Sequence, residues 1–183
     1  MKVVLALTGA SGAIYFVRLL ERLTKMDVQV ECVSSSTGRF VLEHETGRAW
    51  QEVTEGIVCH DEQNMAASIS SGSSPTDALV IVPCSMSSLG QIAHGISENL
   101  IHRAAAVQLK ERRKLIVVPR EAPYSLIHLK AMTLLTESGT LILPASPGFY
   151  HKPKTIMEVV DGVVDRILDH IQCPDNDVKR WQA

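Results

Sequence analysis

The sequence predicts one doubly wound α/β domain over residues 1–183, in which a parallel sheet lies between two layers of helices. Five short runs rich in β-branched residues are apolar throughout rather than alternating, as in parallel strands buried on both faces. The stretches between these runs are long enough for helical crossovers. No linker or low-complexity segment divides the chain, whose length suits a single domain.

The predicted elements follow one another along the whole chain. The five strands are Lys2–Leu7, Val28–Val33, Ala78–Val82, Leu115–Val118 and Thr140–Leu143. Helical patterns cover Ala13–Lys25, which has apolar residues at helical spacing, and the alanine-rich Asn99–Arg112. The last helix is the clearest, because aliphatic side chains form one continuous stripe from Ile156 to Ile171.

Composition argues against several classes of function. The formal net charge is -2 and only 4% of residues are aromatic, so we expect no nucleic-acid binding by phosphate neutralisation or base stacking. No apolar run approaches the roughly 18 residues of a membrane span. The apolar N-terminal run is shorter than the ~7–15 residues of a signal-peptide core. The 4 cysteines are widely spaced and contain no C-x-x-C pair, so we expect a cytoplasmic protein with reduced thiols.

The exits of the predicted strands are rich in glycine, hydroxyl and proline residues. They comprise Thr8–Gly12, Ser34–Gly38, Pro83–Ser88, Pro119–Glu121 and Pro144–Gly148. Open parallel sheets bind ligands at this edge, and glycines, hydroxyls and helix N-termini are suited to anions. Ordinary turns and helix caps favour the same residue types. Five such exits at one edge nevertheless predict a ligand that carries phosphate.

The pattern of these exits narrows the choice of ligand. Gly9-x-x-Gly12 is not the dinucleotide fingerprint, no acidic residue ends the second strand, and the Walker pattern is absent. A mononucleotide such as FMN fits the short, serine-rich exits better. No aspartate-rich cluster is present to hold Mg²⁺, so we expect no metal site. Phosphate chemistry would then depend on Arg, Lys and backbone N–H groups.

Several charged residues admit both a structural and a functional interpretation. Arg120 and Glu121 directly follow a buried strand, where they could form an ion pair between elements or contact a ligand. Arg103 and Lys110 lie seven residues apart on one helix and share a face, which is ordinarily solvated. Arg166 flanks the apolar stripe of the last helix, so it is interpreted either as a surface residue or as part of a subunit contact.

Specific sequence blocks run over essentially the whole chain. They are Thr8–Tyr15, Ser71–Ser73, Pro83–Met86, Asn99–Ala105, Leu109–Arg112, Val118–Pro123, Ile127–Leu129, Pro147–Pro153 and Arg180–Trp181. Together they resemble the UbiX/Pad1-type flavin prenyltransferases. The resemblance implies a flavodoxin-like or Rossmann-like three-layer sandwich in a homo-oligomer, a dodecamer. Its active sites would lie where subunits meet, with the last helix and the C-terminal tail in the subunit contacts.

The resemblance also implies an activity. Members join a dimethylallyl group to N5 and C6 of reduced FMN, usually from dimethylallyl monophosphate and without a metal. The prenylated FMN then serves a UbiD-type decarboxylase as partner. Breaking the allylic C–O bond leaves negative charge on the departing phosphate, which Arg and Lys donors stabilise best when water is excluded. The reduced flavin is the nucleophile, so the protein needs no nucleophilic Ser or Cys.

The same resemblance assigns the flavin contacts to named positions. They are Gly9, Ala10, Ser11, Ser35, Ser85, Met86, Ser87, Ser88 and Arg120. Two of these positions depart from the commonest family pattern. Ser88 replaces a usual Thr and keeps the hydroxyl, whereas Ser87 stands at a variable position often held by Lys or Gly. A charge near the flavin phosphate is therefore expected to be missing.

The remaining assignments concern the prenyl donor and the proton. The expected prenyl-phosphate contacts are Lys110, Tyr150 and Arg166, with Arg103 in the same cationic cluster. Glu45, which would otherwise pass as a surface carboxylate, is expected to transfer the proton released on ring closure. Ser11 and Glu121 complete the expected catalytic set, and Glu121 would lie beside the phosphate.

Two other functions remain open from the sequence. An FMN-dependent decarboxylase of the phosphopantothenoylcysteine type would share the fold and the FMN loops, but would carry a P-x-M-N-type segment at Pro144–Tyr150. A non-catalytic flavin carrier would not need Glu45, Lys110 and Arg166 together. The preference for a monophosphate or a diphosphate donor also stays open.

Overall fold

Six parallel strands form one sheet in the computed structural model, which describes residues 1–173. The strands β1 to β6 are Lys2–Leu7, Gln29–Ser34, Val58–Asp61, Ala78–Cys84, Lys114–Pro119 and Leu141–Ile142. Their order across the sheet is β3-β2-β1-β4-β5-β6, and each neighbouring pair is parallel. The predicted doubly wound sheet is confirmed. Without the short edge strand β3, the remaining order is that of flavodoxins.

α-Helices lie in the connections between these strands, except that between β3 and β4, which holds the short 3-10 helix Ser68–Ser70, and a last α-helix follows β6. In chain order, α1 to α7 are Ala13–Leu23, Ser36–Thr46, Trp50–Val53, Met86–Ala93, Leu100–Lys110, Leu126–Glu137 and Ile156–His170. No helix within residues 1–173 is both long enough and apolar enough to cross a bilayer. Arg180–Trp181 and the rest of the tail, which the sequence analysis placed in subunit contacts, lie outside the described residues.

The core lies on both faces of the sheet because alternate residues of each strand point to opposite sides. Leu5 and Leu7 of β1 pack on the side of α1 and α7, in a cluster that includes Phe16. Val4 and Ala6 pack on the other side, with apolar residues of α4, α5 and α6. Burial on both faces explains why the β1 sequence is apolar throughout rather than alternating.

The carboxyl ends of β1 and β4 mark the reversal of strand order. The chain leaves β1 for α1 on one face of the sheet and leaves β4 for α4 on the other face. Such a switch point opens a crevice at the carboxyl edge, where α/β sheets bind ligands. The exits after β1 and β4 therefore border this crevice, and the other predicted exits follow strands along the same edge of the sheet.

The edge strands differ most from the sequence predictions. β3 was missed because it has four residues and little burial, with Val58 57% exposed, so it lacks an apolar run. The predicted strand Thr140–Leu143 is shorter, since only Leu141–Ile142 pairs with β5. Both strands lie at an edge of the sheet, where each has a neighbouring strand on one side and none on the other. Such a strand is less buried, so its sequence lacks the apolar run by which a strand is recognised.

A buried carboxylate links the first three strands on the α5 side of the sheet. Glu31 of β2 is 6% exposed, and its Oε1 lies 2.7 Å from Nζ of Lys2. Its Oε2 lies 2.8 Å from Nε2 of His60 in β3. Burial on its own would raise the pKa of Glu31, but the hydrogen bonds and charges of Lys2 and His60 lower the pKa below its ordinary value.

We expect Glu31→Gln to reduce the free energy of unfolding by roughly 2 kcal/mol near neutral pH, because Lys2 loses a charged partner. The folded-state pKa of Glu31 is below the unfolded value, so its contribution is full above the unfolded pKa and disappears as pH falls through the folded pKa. The difference between wild type and variant should therefore shrink below about pH 4. Urea unfolding across this pH range measures it, with the exposed Glu55→Gln as control. A difference that stays constant with pH would contradict this account.

Candidate functional site

Thr8 joins the exits of β1 and β4. Its Oγ1 donates a hydrogen bond to the carbonyl oxygen of Pro83 at 2.9 Å and accepts one from the N–H of Ser85 at 2.7 Å. Thr8 is 1% exposed, so water does not compete for these bonds. The sequence analysis placed Thr8 in the first exit but gave it no role. Its hydroxyl fixes the two sides of the crevice relative to each other.

Two glycines allow α2 to approach the exit of β1. A Cβ on Gly38 would lie 2.8 Å from the carbonyl oxygen of Leu7 and 2.9 Å from Oγ of Ser34. A Cβ on Gly9 would lie 2.5 Å from Cγ2 of Thr37. Real Cβ atoms do not tolerate such contacts, so both positions require the smallest side chain. The N-terminus of α2 thereby reaches the same edge as the first exit.

The N-terminus of α4 carries four of the predicted flavin contacts, Ser85, Met86, Ser87 and Ser88. Oγ of Ser85, the N-cap residue, accepts the N–H of Ser88 at 3.3 Å. The Ser85 hydroxyl also donates to Oγ of Ser88 at 3.2 Å, while Ser87 is exposed. Neutral hydroxyls at the positive end of a helix suit a phosphate group.

Glu45 caps a helix other than its own. Its Oε2 accepts the N–H of Gly12 at 2.9 Å and the N–H of Ala13 at 2.9 Å, and Oε1 lies 3.2 Å from the Gly12 nitrogen. Gly12 is the N-cap of α1, has a left-handed φ of 112° and has no side chain that could cap the helix. Although Glu45 is exposed, its carboxylate is therefore fixed at the carboxyl edge of β1.

The surroundings of Glu45 keep it ionised. Partial burial alone would raise its pKa, but hydrogen bonds from the Ser11 hydroxyl and from the N–H groups of Gly12 and Ala13 lower it, as does the charge of Arg120. Nε of Arg120 also donates to the carbonyl oxygen of Ser11 at 2.8 Å. Because its pKa is lowered, the Glu45 side chain is a carboxylate at neutral pH, with oxygen lone pairs that are open to a proton. Ser11, Glu45 and Arg120 thus form one cluster at the crevice.

Glu121, the remaining residue of the expected catalytic set, follows β5 beside this cluster. Its Oε1 accepts the N–H of Ala122 at 3.0 Å, and the residue is partly exposed. The neighbouring guanidinium of Arg120 contacts the first exit. The exit after β5 therefore directs the guanidinium of Arg120 towards the exit of β1, and the carboxylate of Glu121 beside it stays accessible.

The expected prenyl-phosphate contacts lie in two separate groups in the single chain. Arg103 and Lys110 belong to α5, on one face of the sheet. Nε of Arg103 donates to the carbonyl oxygen of Ser70 at 3.2 Å, and Nζ of Lys110 contacts the Glu111 carboxylate. Tyr150 and Arg166 lie on the α7 side of the sheet. One subunit therefore does not bring the four side chains of the expected cluster together.

Tyr150 and Arg166 border a cleft of about 990 Å³ between α1, α7 and the segment that follows β6. The Tyr150 ring is 51% exposed and meets the His151 ring edge-on, with 5.4 Å between centroids. Nη1 of Arg166 lies 3.0 Å from Oδ2 of Asp169. Arg166 is ten residues past the start of α7 at Ile156, a rise of about 15 Å from the end of the helix nearest the strand exits.

Two polar residues next to the strand exits were missed by the sequence analysis. His102 of α5 is 4% exposed, and its Nε2 lies 3.3 Å from Oγ of Ser88. Oε1 of Glu62, just after β3, accepts the N–H of Ser36 at 2.6 Å. His102 is a polar residue that directly follows the apolar pair Leu100 and Ile101 in a predicted helix, and this position could have identified it as a candidate site residue. Glu62 gave no signal, because its position depends on the unpredicted strand β3.

The residues at the crevice fit a flavin mononucleotide. The hydroxyls of Ser85 and Ser88 lie at the start of α4, where the backbone N–H groups of the helix suit a phosphate group. The guanidinium of Arg120 provides a positive charge at the same edge. Among residues 1–173, no three His, Cys, Asp or Glu side chains are grouped so as to hold a metal ion.

Comparison with known proteins agrees with these features. The flavoprotein family model matches residues 1–172. The flavin prenyltransferase UbiX of Thermoplasma acidophilum is 46% identical over 183 residues, which cover 99% of this chain and 100% of the relative. AnUbiX (PadA1), solved in complex with FMN and dimethylallyl pyrophosphate, has a TM-score of 0.97 and 38% identity over 100% of this chain and 97% of its own. The dodecameric FMN-dependent UbiX-like decarboxylase of Escherichia coli O157:H7 has a TM-score of 0.98 and 40% identity, with 100% of both chains covered.

We expect Gly38→Ala to destabilise the protein by about 1–3 kcal/mol, because the added methyl would displace α2 from the Leu7 carbonyl. Gly90→Ala is the matched control, since Gly90 lies inside α4 and a Cβ there would meet nothing within 4 Å. That substitution should raise helix propensity and stabilise by up to about 1 kcal/mol. Chemical denaturation of the variants and wild type gives both values. Equal effects of the two substitutions would argue against the close approach of α2 and β1.

Proposed function

This chain belongs to the flavoprotein family as a UbiX-type flavin prenyltransferase, and on that premise we propose that it joins a dimethylallyl group to N5 and C6 of reduced FMN. The observation that carries the proposal is the position of Glu45 with Ser11 and Arg120 at the flavin edge of the sheet. The solved complex of AnUbiX with FMN and dimethylallyl pyrophosphate supports both the acceptor and the class of donor.

The strand exits would hold the FMN. Gly9, Ala10 and Ser11 would contact it after β1, Ser35 after β2 and Arg120 after β5. The N-cap Ser85 and the first turn of α4, which contains Met86, Ser87 and Ser88, would bind its phosphate. Bound reduced FMN supplies an electron-rich ring that acts as the nucleophile. The protein orients that ring and the prenyl donor and excludes water.

Glu45 would take the proton that ring closure releases. Formation of the bond at C6 consumes the dimethylallyl double bond, which takes up one proton, and C6 then loses one proton to restore the ring. An ionised carboxylate is a suitable acceptor for the proton from C6. The Ser11 hydroxyl is hydrogen-bonded to Glu45, so it can pass the proton between ring and carboxylate. Arg120 holds the carbonyl of Ser11 and thereby keeps this hydroxyl in place.

The prenyl phosphate would be bound where subunits meet. Arg103 and Lys110 lie on one face of the sheet and Tyr150 and Arg166 on the other, so an assembly is needed to place them around one phosphate. The dodecameric relative from Escherichia coli O157:H7 supports a dodecamer here as well. These cations would stabilise the charge of the departing phosphate, with Glu121 beside it and without a metal.

The product, prenylated FMN, would be consumed by a UbiD-type decarboxylase in the cytoplasm. This step rests on the family resemblance alone. Of the two alternative functions, a flavin carrier would leave the fixed, ionised Glu45 without a purpose. A decarboxylase of the phosphopantothenoylcysteine type is disfavoured by full-length identity of 46% to a flavin prenyltransferase.

The direct test is anaerobic incubation of the purified protein with reduced FMN and either dimethylallyl monophosphate or diphosphate. We expect mass spectrometry of the flavin to show the mass gain of one dimethylallyl group, and a chelator in excess should leave the yield unchanged. A flavin of unchanged mass with both donors would refute the proposed reaction. Loss of product on chelation that added Mg²⁺ restores would refute metal independence while leaving the reaction in place.

Glu45→Gln should slow product formation by ~10²–10⁴-fold while FMN still binds, because an amide keeps the shape but does not accept the proton. Glu43→Gln is the matched control, since Glu43 is an exposed carboxylate of the same helix. Single-turnover rates and FMN titrations separate catalysis from binding. Arg166→Ala should act differently, by weakening binding of the prenyl phosphate. If the Glu45→Gln variant forms product at the wild-type rate, the proposal that Glu45 transfers the proton is wrong.

A further inference from the structure

A buried histidine lies directly behind the α4 terminus that would bind the FMN phosphate. His102 is 4% exposed, and its Nε2 lies 3.3 Å from Oγ of Ser88, which belongs to the first turn of α4. Its other ring nitrogen, Nδ1, is buried and has no hydrogen-bond partner among the described residues. The only partner shown for the imidazole is thus the hydroxyl of a predicted flavin contact.

The buried position favours the neutral form of the imidazole. Burial lowers the pKa of His102, although the charges of Glu98 and Glu62 oppose that shift. A neutral imidazole carries one N–H, on either ring nitrogen. A proton on Nδ1 would leave a buried donor unpaired, whereas a proton on Nε2 gives that donor the Ser88 oxygen. The geometry therefore favours donation from Nε2 to Ser88.

This arrangement determines where the Ser88 proton points. Oγ of Ser88 accepts hydrogen bonds from the Ser85 hydroxyl at 3.2 Å and from His102 at 3.3 Å. A hydroxyl oxygen has two acceptor lone pairs, so both are then used. The Ser88 proton remains available to donate to a third group, and a phosphate at the helix terminus is an acceptor of the right charge.

We propose that His102 is a positioning residue, which orients the Ser88 hydroxyl to donate its proton to the phosphate of FMN. The proposal rests on the proposed FMN site and adds a residue that has no contact with the flavin itself. It specifies that His102 contributes to recognition of the phosphate and not of the isoalloxazine ring or ribityl chain. A histidine that only filled space would affect all flavins equally.

The experiment compares the affinities for FMN and for riboflavin, which lacks the phosphate, in the full-length protein. His102→Asn, whose amide is too short to reach the position of Nε2, should weaken FMN binding roughly tenfold and leave riboflavin binding within about twofold. His102→Gln, whose amide reaches that position, should restore most of the FMN affinity. His94→Gln is the control, because His94 is exposed at the C-terminal end of α4, away from the phosphate site. This variant should bind FMN and riboflavin as the wild type does.

A double-mutant cycle with Ser88→Ala completes the test. His102→Asn should have no further effect on FMN binding in the Ser88→Ala background, because the hydroxyl it orients is gone. Equal loss of FMN and riboflavin affinity, failure of Gln to rescue, or an undiminished effect in the Ser88→Ala background would each overturn the role of His102. If wild type does not bind FMN more tightly than riboflavin, the proposed phosphate site itself fails, which is a distinct outcome.

Discussion

The structure depends on how the N-termini of its helices are neutralised at the carboxyl edge of the sheet. Because the strands are parallel, α1, α2 and α4 all begin at this edge, each with unpaired N–H groups and partial positive charge. Glu45 supplies a carboxylate to the start of α1, and Glu62 supplies one to Ser36 at the start of α2. The hydrogen bonds described for residues 1–173 give the first turn of α4 only the neutral hydroxyl of Ser85. Carboxylates of the chain itself thus compensate the starts of α1 and α2, whereas the start of α4 has a neutral hydroxyl, which suits the phosphate of the proposed FMN site.

Under the proposed function, Glu45 combines a structural cap and a catalytic group in one side chain. The N–H groups of Gly12 and Ala13 fix the carboxylate and lower its pKa, which keeps it ionised but also makes it a weaker base. A weak base suffices where the proton to be removed is already acidic, as on a ring carbon that has just been alkylated. The cap therefore provides position and protonation state at the expense of basicity that the proposed reaction does not need.

Sequence reasoning succeeded where local burial or local chemistry determines structure. The sequence alone predicts β1 and β4 from their apolar runs and α7 from its apolar stripe. Once the strands are taken as parallel, the residues at their exits are known as well. Sequence reasoning failed where the position of a strand or a side chain depends on contacts with residues far away in the sequence. β3 is exposed and gives no apolar signal. The hydrogen bond between Glu45 and Gly12 spans 33 residues, so composition and spacing alone left Glu45 as a surface carboxylate and only the family resemblance gave it a role.

The open cleft of the single chain has a physical consequence for the proposed reaction. Donors stabilise a departing phosphate best when water is excluded, yet Tyr150 is 51% exposed and Arg166 is also exposed. At the start of α6, the neighbouring apolar residues Leu126, Ile127 and Leu129 are 67%, 75% and 47% exposed, and contiguous apolar surface is typical of faces covered by another molecule. Under the proposed function, assembly would therefore do more than join subunits. It would bring together phosphate ligands from opposite faces of the sheet and dry the site in which they act.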